Sequence, residues 1–167
     1  MGSKFLRFGR LVVLVTALVG CVSEGVHIIS VKNPSLPDPV VERLPLTVGV
    51  YYDQELRGYE HEKYGGSRWP YVYRLGPASV AMFNDILPKM FKEVVAVGAI
   101  PPSPSTRRKI LGILAPRIEY VYAQIAGDSL SAQIEFVVML YSPAGVKLGE
   151  LGLSSSSFAA ANEYLPI

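Results

Sequence analysis

The stretch from Pro77 to Glu93 limits what this chain can fold into. Val80, Phe83, Ile86, Leu87, Met90, Phe91 and Val94 recur at steps of three and four, while Asn84, Asp85, Lys89 and Lys92 take the other side. That period belongs to a helix with one apolar face and predicts a helix over about 77–93. Gly76-Pro77 opens it with proline in the first turn, where the missing N–H is not needed. Pro88 removes an interior hydrogen bond and crowds the carbonyl of Asn84, which predicts a kink or a break. Such a stripe suits a membrane surface or a sheet; the mildly charged polar face favours the sheet.

Around this helix the apolar residues alternate with period two. Leu46, Val48, Val50 and Tyr52 alternate with Thr47, Gly49 and Tyr51, which reads as a strand. A polar loop follows over Asp53–Arg68, with Gly58, Gly65 and Gly66, and then a strand over Trp69–Leu75. Past the helix come a strand at about Val94–Val97, a turn-rich basic loop from Ile100 to Lys109, and a short apolar segment, Ile110–Leu114, that reads as strand or helix. Ile118–Ile125 alternates, with Tyr120 and Tyr122 on the Ile118 face. Ala132, Ile134, Phe136, Val138 and Leu140 form one face of a long strand. Ser142–Gly145 turns it back into Val146–Leu153, and the serines at 154–157 lead into a short helix over Phe158–Tyr164. The sum is a two-layer α+β domain: a mostly antiparallel sheet, one main amphipathic helix and a short C-terminal helix.

The amino-terminal segment has a different grammar. Lys4, Arg7 and Arg10 precede the apolar run Leu11–Val19, with no acid among them. Nine residues span about 14 Å as a helix at ~1.5 Å per residue, whereas a bilayer core needs roughly twenty. The segment therefore reads as a cleaved secretory leader. Its end, Leu18-Val19-Gly20-Cys21, resembles the bacterial lipoprotein signal. The resemblance implies cleavage before Cys21, diacylglycerol on its sulfur and an acyl chain such as palmitate on its freed amine. Cys21 is the only cysteine, so no disulfide partner competes for it. Membrane attachment through lipidated Cys21 is thus expected, and the start lacks the Ser or Thr of the rival myristoylation signal.

The division that follows is a signal peptide at 1–20, a tether at 21–44 and a single α+β domain at 45–167. Pro34, Pro37, Pro39 and Pro45 make the tether extended and stiff, and the apolar patch Val26–Val31 either pairs loosely with the domain or is disordered. Composition matters here through charge. Removing the three basic residues of the leader leaves thirteen Lys and Arg against fourteen Asp and Glu, a net −1. A near-neutral mature chain lacks the basic footprint of a nucleic-acid binder.

Catalysis finds no support in the inventory: there is no Gly-x-Ser-x-Gly elbow, His-Glu-x-x-His or Walker loop. His27 and His61 lie far apart without zinc spacing, and no metal or cofactor is expected. Asp53, Glu55, Glu60 and Glu62 cluster in the first loop and offer a hydrolase reading, but their interleaving with Arg57, Lys63 and Arg68 reads more simply as a solvated loop. Aromatic residues are the denser signal. Six of ten tyrosines and the only tryptophan fall within 51–73, and such side chains suit protein interfaces and sugar faces. Tyr52, Tyr71 and Tyr73 alternate as strand residues do. Tyr59, Tyr64 and Trp69, flanked by Arg57 and Arg68, are the candidates for partner contact.

Leu46-Thr-Val-Gly-Val-Tyr-Tyr-Asp53, Leu75-Gly-Pro-Ala-Ser79, Leu87-Pro-Lys-Met-Phe91 and Leu114-Ala-Pro-Arg-Ile118, behind the lipobox, resemble small Gram-negative envelope lipoproteins. The order of elements is similar to the α+β domain of LptE, PelC and the TolB amino-terminal domain. The resemblance implies a non-catalytic adaptor or assembly component, lipid-anchored on the periplasmic face of the outer membrane, that binds an envelope protein or its own copies. Val22 after Cys21, rather than Asp, favours that sorting. Glycan or lipopolysaccharide binding by the same aromatics is the alternative.

Overall fold

The computed structural model describes residues 26–31, 42–63, 70–126 and 129–160. The apolar stripe forms helix α2 (Leu75–Met90), which links two parallel neighbours, β2 (Leu44–Val50) and β5 (Phe91–Ala96). Parallel strands need such a crossover, and a helix that buries one face on them supplies it. Before α2 lie β1 (His27–Ser30), α1 (Gln54–Arg57), β3 (Glu60–Lys63) and β4 (Tyr71–Arg74). After β5 come α3 (Pro104–Arg107), β6 (Ile113–Ala126), β7 (Ser129–Tyr141) and β8 (Lys147–Ala160). The described strands make two sheets, β1-β4-β3 and β5-β2-β6-β7-β8. The architecture is α+β, and its longest ladders, β6–β7 and β7–β8, are antiparallel.

Alternation sorts the larger sheet into two apolar faces. On one, Val50, Tyr52, Leu56, Phe83, Leu87 and Phe136 are buried together, with Leu114, Ile118, Ile134 and Val138 packed against them. Phe83 of α2 meets Phe136 of β7 edge-on, with centroids 5.4 Å apart. On the other face Val97, Ile110 and Ile113 are buried with Tyr51, Val95, Ile100 and Tyr141 around them. Gly49 belongs to this second face: a Cβ there would stand 3.1 Å from Ile110 Cδ1 and 3.3 Å from both Ile113 and Val97. The connection over 97–112 therefore acts as a lid on the sheet: its Val97 and Ile110 are core and Ile100 packs beside them, whereas Leu111 stays exposed.

Several expectations are corrected. The helix covers 75–90 rather than 77–93, and it runs through Pro88 as one element. Proline stands in the last turn, and Phe91 leaves in extended conformation with its N–H on the Leu87 carbonyl. Phe91 and Val94 still pack on the main core, from β5. The expected loop at 53–68 contains α1 and β3. Asp53 caps α1, its Oδ1 accepting from the Leu56 N–H at 2.7 Å. Of the two expectations for the patch at 26–31, pairing with the domain is the one observed: β1 pairs in parallel with β4, His27 opposite Tyr71 through Ser30 opposite Arg74. Leu44, placed in the tether by sequence, begins β2. Tyr120 and Tyr122 do not share the Ile118 face, because the register shifts between Ile118 and Tyr120. Ile118 pairs with Phe136, but Tyr120 pairs with Glu135 and Tyr122 with Gln133, on the opposite side. The serine run and residues 158–160 continue β8 instead of starting a helix; residues 161–167 lie outside the described residues.

Candidate interface around residues 51–73

The described aromatic residues of the segment stand on β4 and in the loops on either side of α1, and they have different fates. Tyr52, two residues past β2, is buried; its hydroxyl meets Asn84 Oδ1 of α2 at 2.9 Å. Burial pushes this phenol up to about 12, while the nearby Arg57 charge pulls the other way. Arg57, at the last turn of α1, sets its guanidinium 5.7 Å from the centre of the Tyr52 ring and donates Nε to the Tyr52 carbonyl at 3.0 Å. Its side chain thus closes α1 onto the segment just past β2 while leaving the residue exposed overall.

Tyr59 follows directly. Its N–H reaches the Leu56 carbonyl at 3.3 Å, and its own carbonyl accepts from Gly76 N–H at 2.9 Å. The side chain is half-buried. Arg57 and Tyr59 are therefore brought to one place, the corner where α1 meets the start of α2. Tyr64, Arg68 and Trp69 lie outside the described residues, as do the signal peptide and Leu18, Val19, Gly20 and Cys21 of the lipobox.

Tyr71 and Tyr73 stand on β4, half-buried, opposite Lys63 and His61 of β3. Burial raises the Tyr73 phenol and Tyr71 adds to the rise. Burial also lowers His61, with Lys63 assisting, so the imidazole is held more neutral than in water. The four carboxylates of the segment do not converge: Asp53 caps α1, Glu55 stands in its first turn, Glu60 pairs with Arg74 at 3.1 Å across the β3–β4 ladder, and Glu62 is exposed on β3. Among the described residues no group of three His, Cys, Asp or Glu could hold a metal ion.

One surface feature escapes the sequence reading. Leu140, Leu148, Leu151 and Leu153 are exposed by 39, 61, 61 and 41% along the β7–β8 margin. For Leu148, Leu151 and Leu153 the Leu-x-x-Leu-x-Leu spacing was the only signal, and it reads equally as a hairpin strand with a covered face. Leu140, Leu151 and Leu153 lie on the α2 face, where α2 packs over β6 and β7 and no element among the described residues covers β8; Leu148, at the register shift, lies off that face. On the opposite face Glu119, Glu135, Val137, Gly152 and Ser154 line a shallow groove, where Arg117 pairs with Glu119 at 2.7 Å.

No protein-family model matches the sequence, and no curated protein matches it. Among solved structures, the chain is similar to the crystal structure of protein XCC0632 from Xanthomonas campestris, of family DUF330, with 12% identity, a TM-score of 0.46, and 77% of this chain and 76% of that one covered.

Proposed function

We propose that this chain is a lipid-anchored envelope lipoprotein, attached through Cys21 to the periplasmic face of the outer membrane, that serves as a non-catalytic adaptor or assembly component. The observation that carries this reading is the basic, apolar leader ending in Leu18-Val19-Gly20-Cys21. More than one acyl chain on Cys21 holds a protein at a bilayer, where a single chain binds only marginally. Among the described residues no helix is long and apolar enough to cross a membrane. The partner is an envelope protein, contacted through Arg57, Tyr59, Tyr64, Arg68 and Trp69, of which Arg57 and Tyr59 meet at the corner where α1 joins the start of α2.

Two measurements test the reading in order. Cells expressing the chain are labelled with a palmitate analogue and fractionated; label in the outer-membrane fraction that vanishes in Cys21→Ser supports the anchor. An uncut, unlabelled protein still in the membrane refutes it. In the anchored protein, Tyr64→Ala with Trp69→Ala then removes the cross-linked envelope partner. Unchanged cross-linking overturns the placement of the contact, and loss of cross-linking to free glycan competition transfers it to a glycan.

A further inference from the structure

We propose that the outer edge of β8 is an interface between two copies of this chain, paired antiparallel about a two-fold axis at Gly152. Such pairing extends the five-stranded sheet into one of ten. β8 ends the strand order, and over its fourteen residues its outward N–H and C=O groups face no strand among the described residues. A long open edge pairs readily with another strand, and edges are usually protected by lysine, proline or a bulge. From Gly149 to Ser156 β8 carries no lysine and no proline. Its one charge there, Glu150, is already held by Lys147 at 2.7 Å. The opposite edge, β5, is six residues long and exposes Lys92 and Glu93.

The sequence of the strand selects a second copy as the occupant. An axis normal to the sheet keeps each face on its own side, so residues of the same parity meet. Placed at Gly152, it sets Leu151 against Leu153 of the other copy, twice. Both leucines belong to the α2 face, since their partners on β7 are Val138 and Phe136, and both are exposed in one copy. On the other face Glu150 meets Ser154, and Gly152 meets itself with no atom within 4 Å of where its Cβ would stand. No like charges are opposed. Moving the axis to Glu150 opposes two carboxylates, and moving it to Leu151 leaves Leu153 facing Gly149, so the Gly152 register satisfies the leucines best.

This inference is independent of the function proposed above, which rests on Cys21 and the 53–73 segment. Cysteine scanning of the full-length protein in mild detergent tests it, with the parent chain and its lone Cys21 as background. Across the axis, Cα atoms of the two Gly152 residues stand about 4.5–5.5 Å apart, within disulfide reach. The two Gly149 residues are offset by about six positions, roughly 20 Å at ~3.3 Å per residue. Under mild oxidation Gly152→Cys is expected to give a covalent dimer and Gly149→Cys none above background. Leu151→Lys with Leu153→Lys is expected to sediment as a monomer where the parent is dimeric, with an unchanged circular dichroism spectrum. A monomeric parent, equal cross-linking at both positions, or a dimer indifferent to the leucine substitutions would overturn the proposal. Coverage of the edge by residues 161–167 of the same chain would appear as the first of these.

Discussion

The hydroxyl of Tyr52 lies 2.9 Å from Asn84 Oδ1, so a single buried phenol ties the segment just past β2 to the middle of α2. Its ionisation is held up to about 12, above the ordinary value near 10. A raised folded-state pKa means that the neutral form is favoured in the fold. The corresponding stability is complete below pH ~10 and drains away as pH climbs towards 12. Tyr52→Phe is expected to cost about 0.5–1.5 kcal/mol at neutral pH, the usual worth of one hydrogen bond. It should also flatten the alkaline loss of stability, as read by urea unfolding between pH 7 and ~11. An unchanged alkaline slope in the variant contradicts the assignment.

Among the described glycines, Gly76 makes the tightest approach, against α1. A Cβ at this position would stand 2.7 Å from the Arg57 carbonyl and 2.8 Å from the Tyr59 nitrogen, and closer still to the Leu56 carbonyl. All three are backbone atoms, which cannot swing aside. Gly76→Ala is expected to cost about 1–3 kcal/mol or more, despite the better helix propensity of alanine. Thermal unfolding measures it, and a Tm equal to the parent's would show that α1 is not seated there.

Phe136 joins α2 to the long antiparallel strands through the edge-on contact with Phe83. Truncation to alanine removes a buried ring at the centre of the main cluster and is expected to cost about 3–5 kcal/mol. Chemical denaturation should show a lower midpoint. A loss below about 1 kcal/mol would mean that the helix and the β6–β8 strands do not share one core.

Arg57 illustrates why a candidate contact residue needs a stability measurement beside a binding one. It stacks on Tyr52 and bonds its carbonyl. Arg57→Ala is therefore expected to lower stability by about 1 kcal/mol through lost stacking and one charge-assisted bond. Arg57→Lys keeps the charge but loses the planar fork, and should recover only part of the loss. A change in partner binding with no change in stability would assign the residue to the interface alone.

The long elements were legible in the residues because their periods are local, whereas the short α1 and β3 were not. The stripe from Val80 to Leu87 has one period and the strand Ala132–Leu140 has another; Val80, Phe83, Ile86 and Leu87 meet Ile134, Phe136 and Val138 in the main cluster, while Leu140 at the strand's end is exposed. Pro88 was legible as a disruption but not in its effect: near the end of α2 it coincides with a terminus instead of breaking the helix. The face of Tyr120 and Tyr122 was not legible, because the shift after Ile118 inserts one residue that alternation cannot announce. Of the candidate contact residues, Arg57 reads as a solvated loop cation in sequence. Only its distance to Tyr52, five positions away, shows a structural duty.

By itself the sequence determined the α+β character of the chain and the expectation of an anchor at Cys21, since periodicity and the lipobox are properties of neighbouring residues. Tertiary structure decided which strands adjoin: β2 lies between two parallel partners, β1 joins β4 from within the expected tether, and β8 is left at the edge. Pairing of this kind depends on residues far apart in the chain, and it alone determines which apolar face is covered. Leu151 and Leu153 have the same side chain and the same alternation as buried strand leucines. Among the described residues they are exposed because the helix reaches the strands before theirs and no farther.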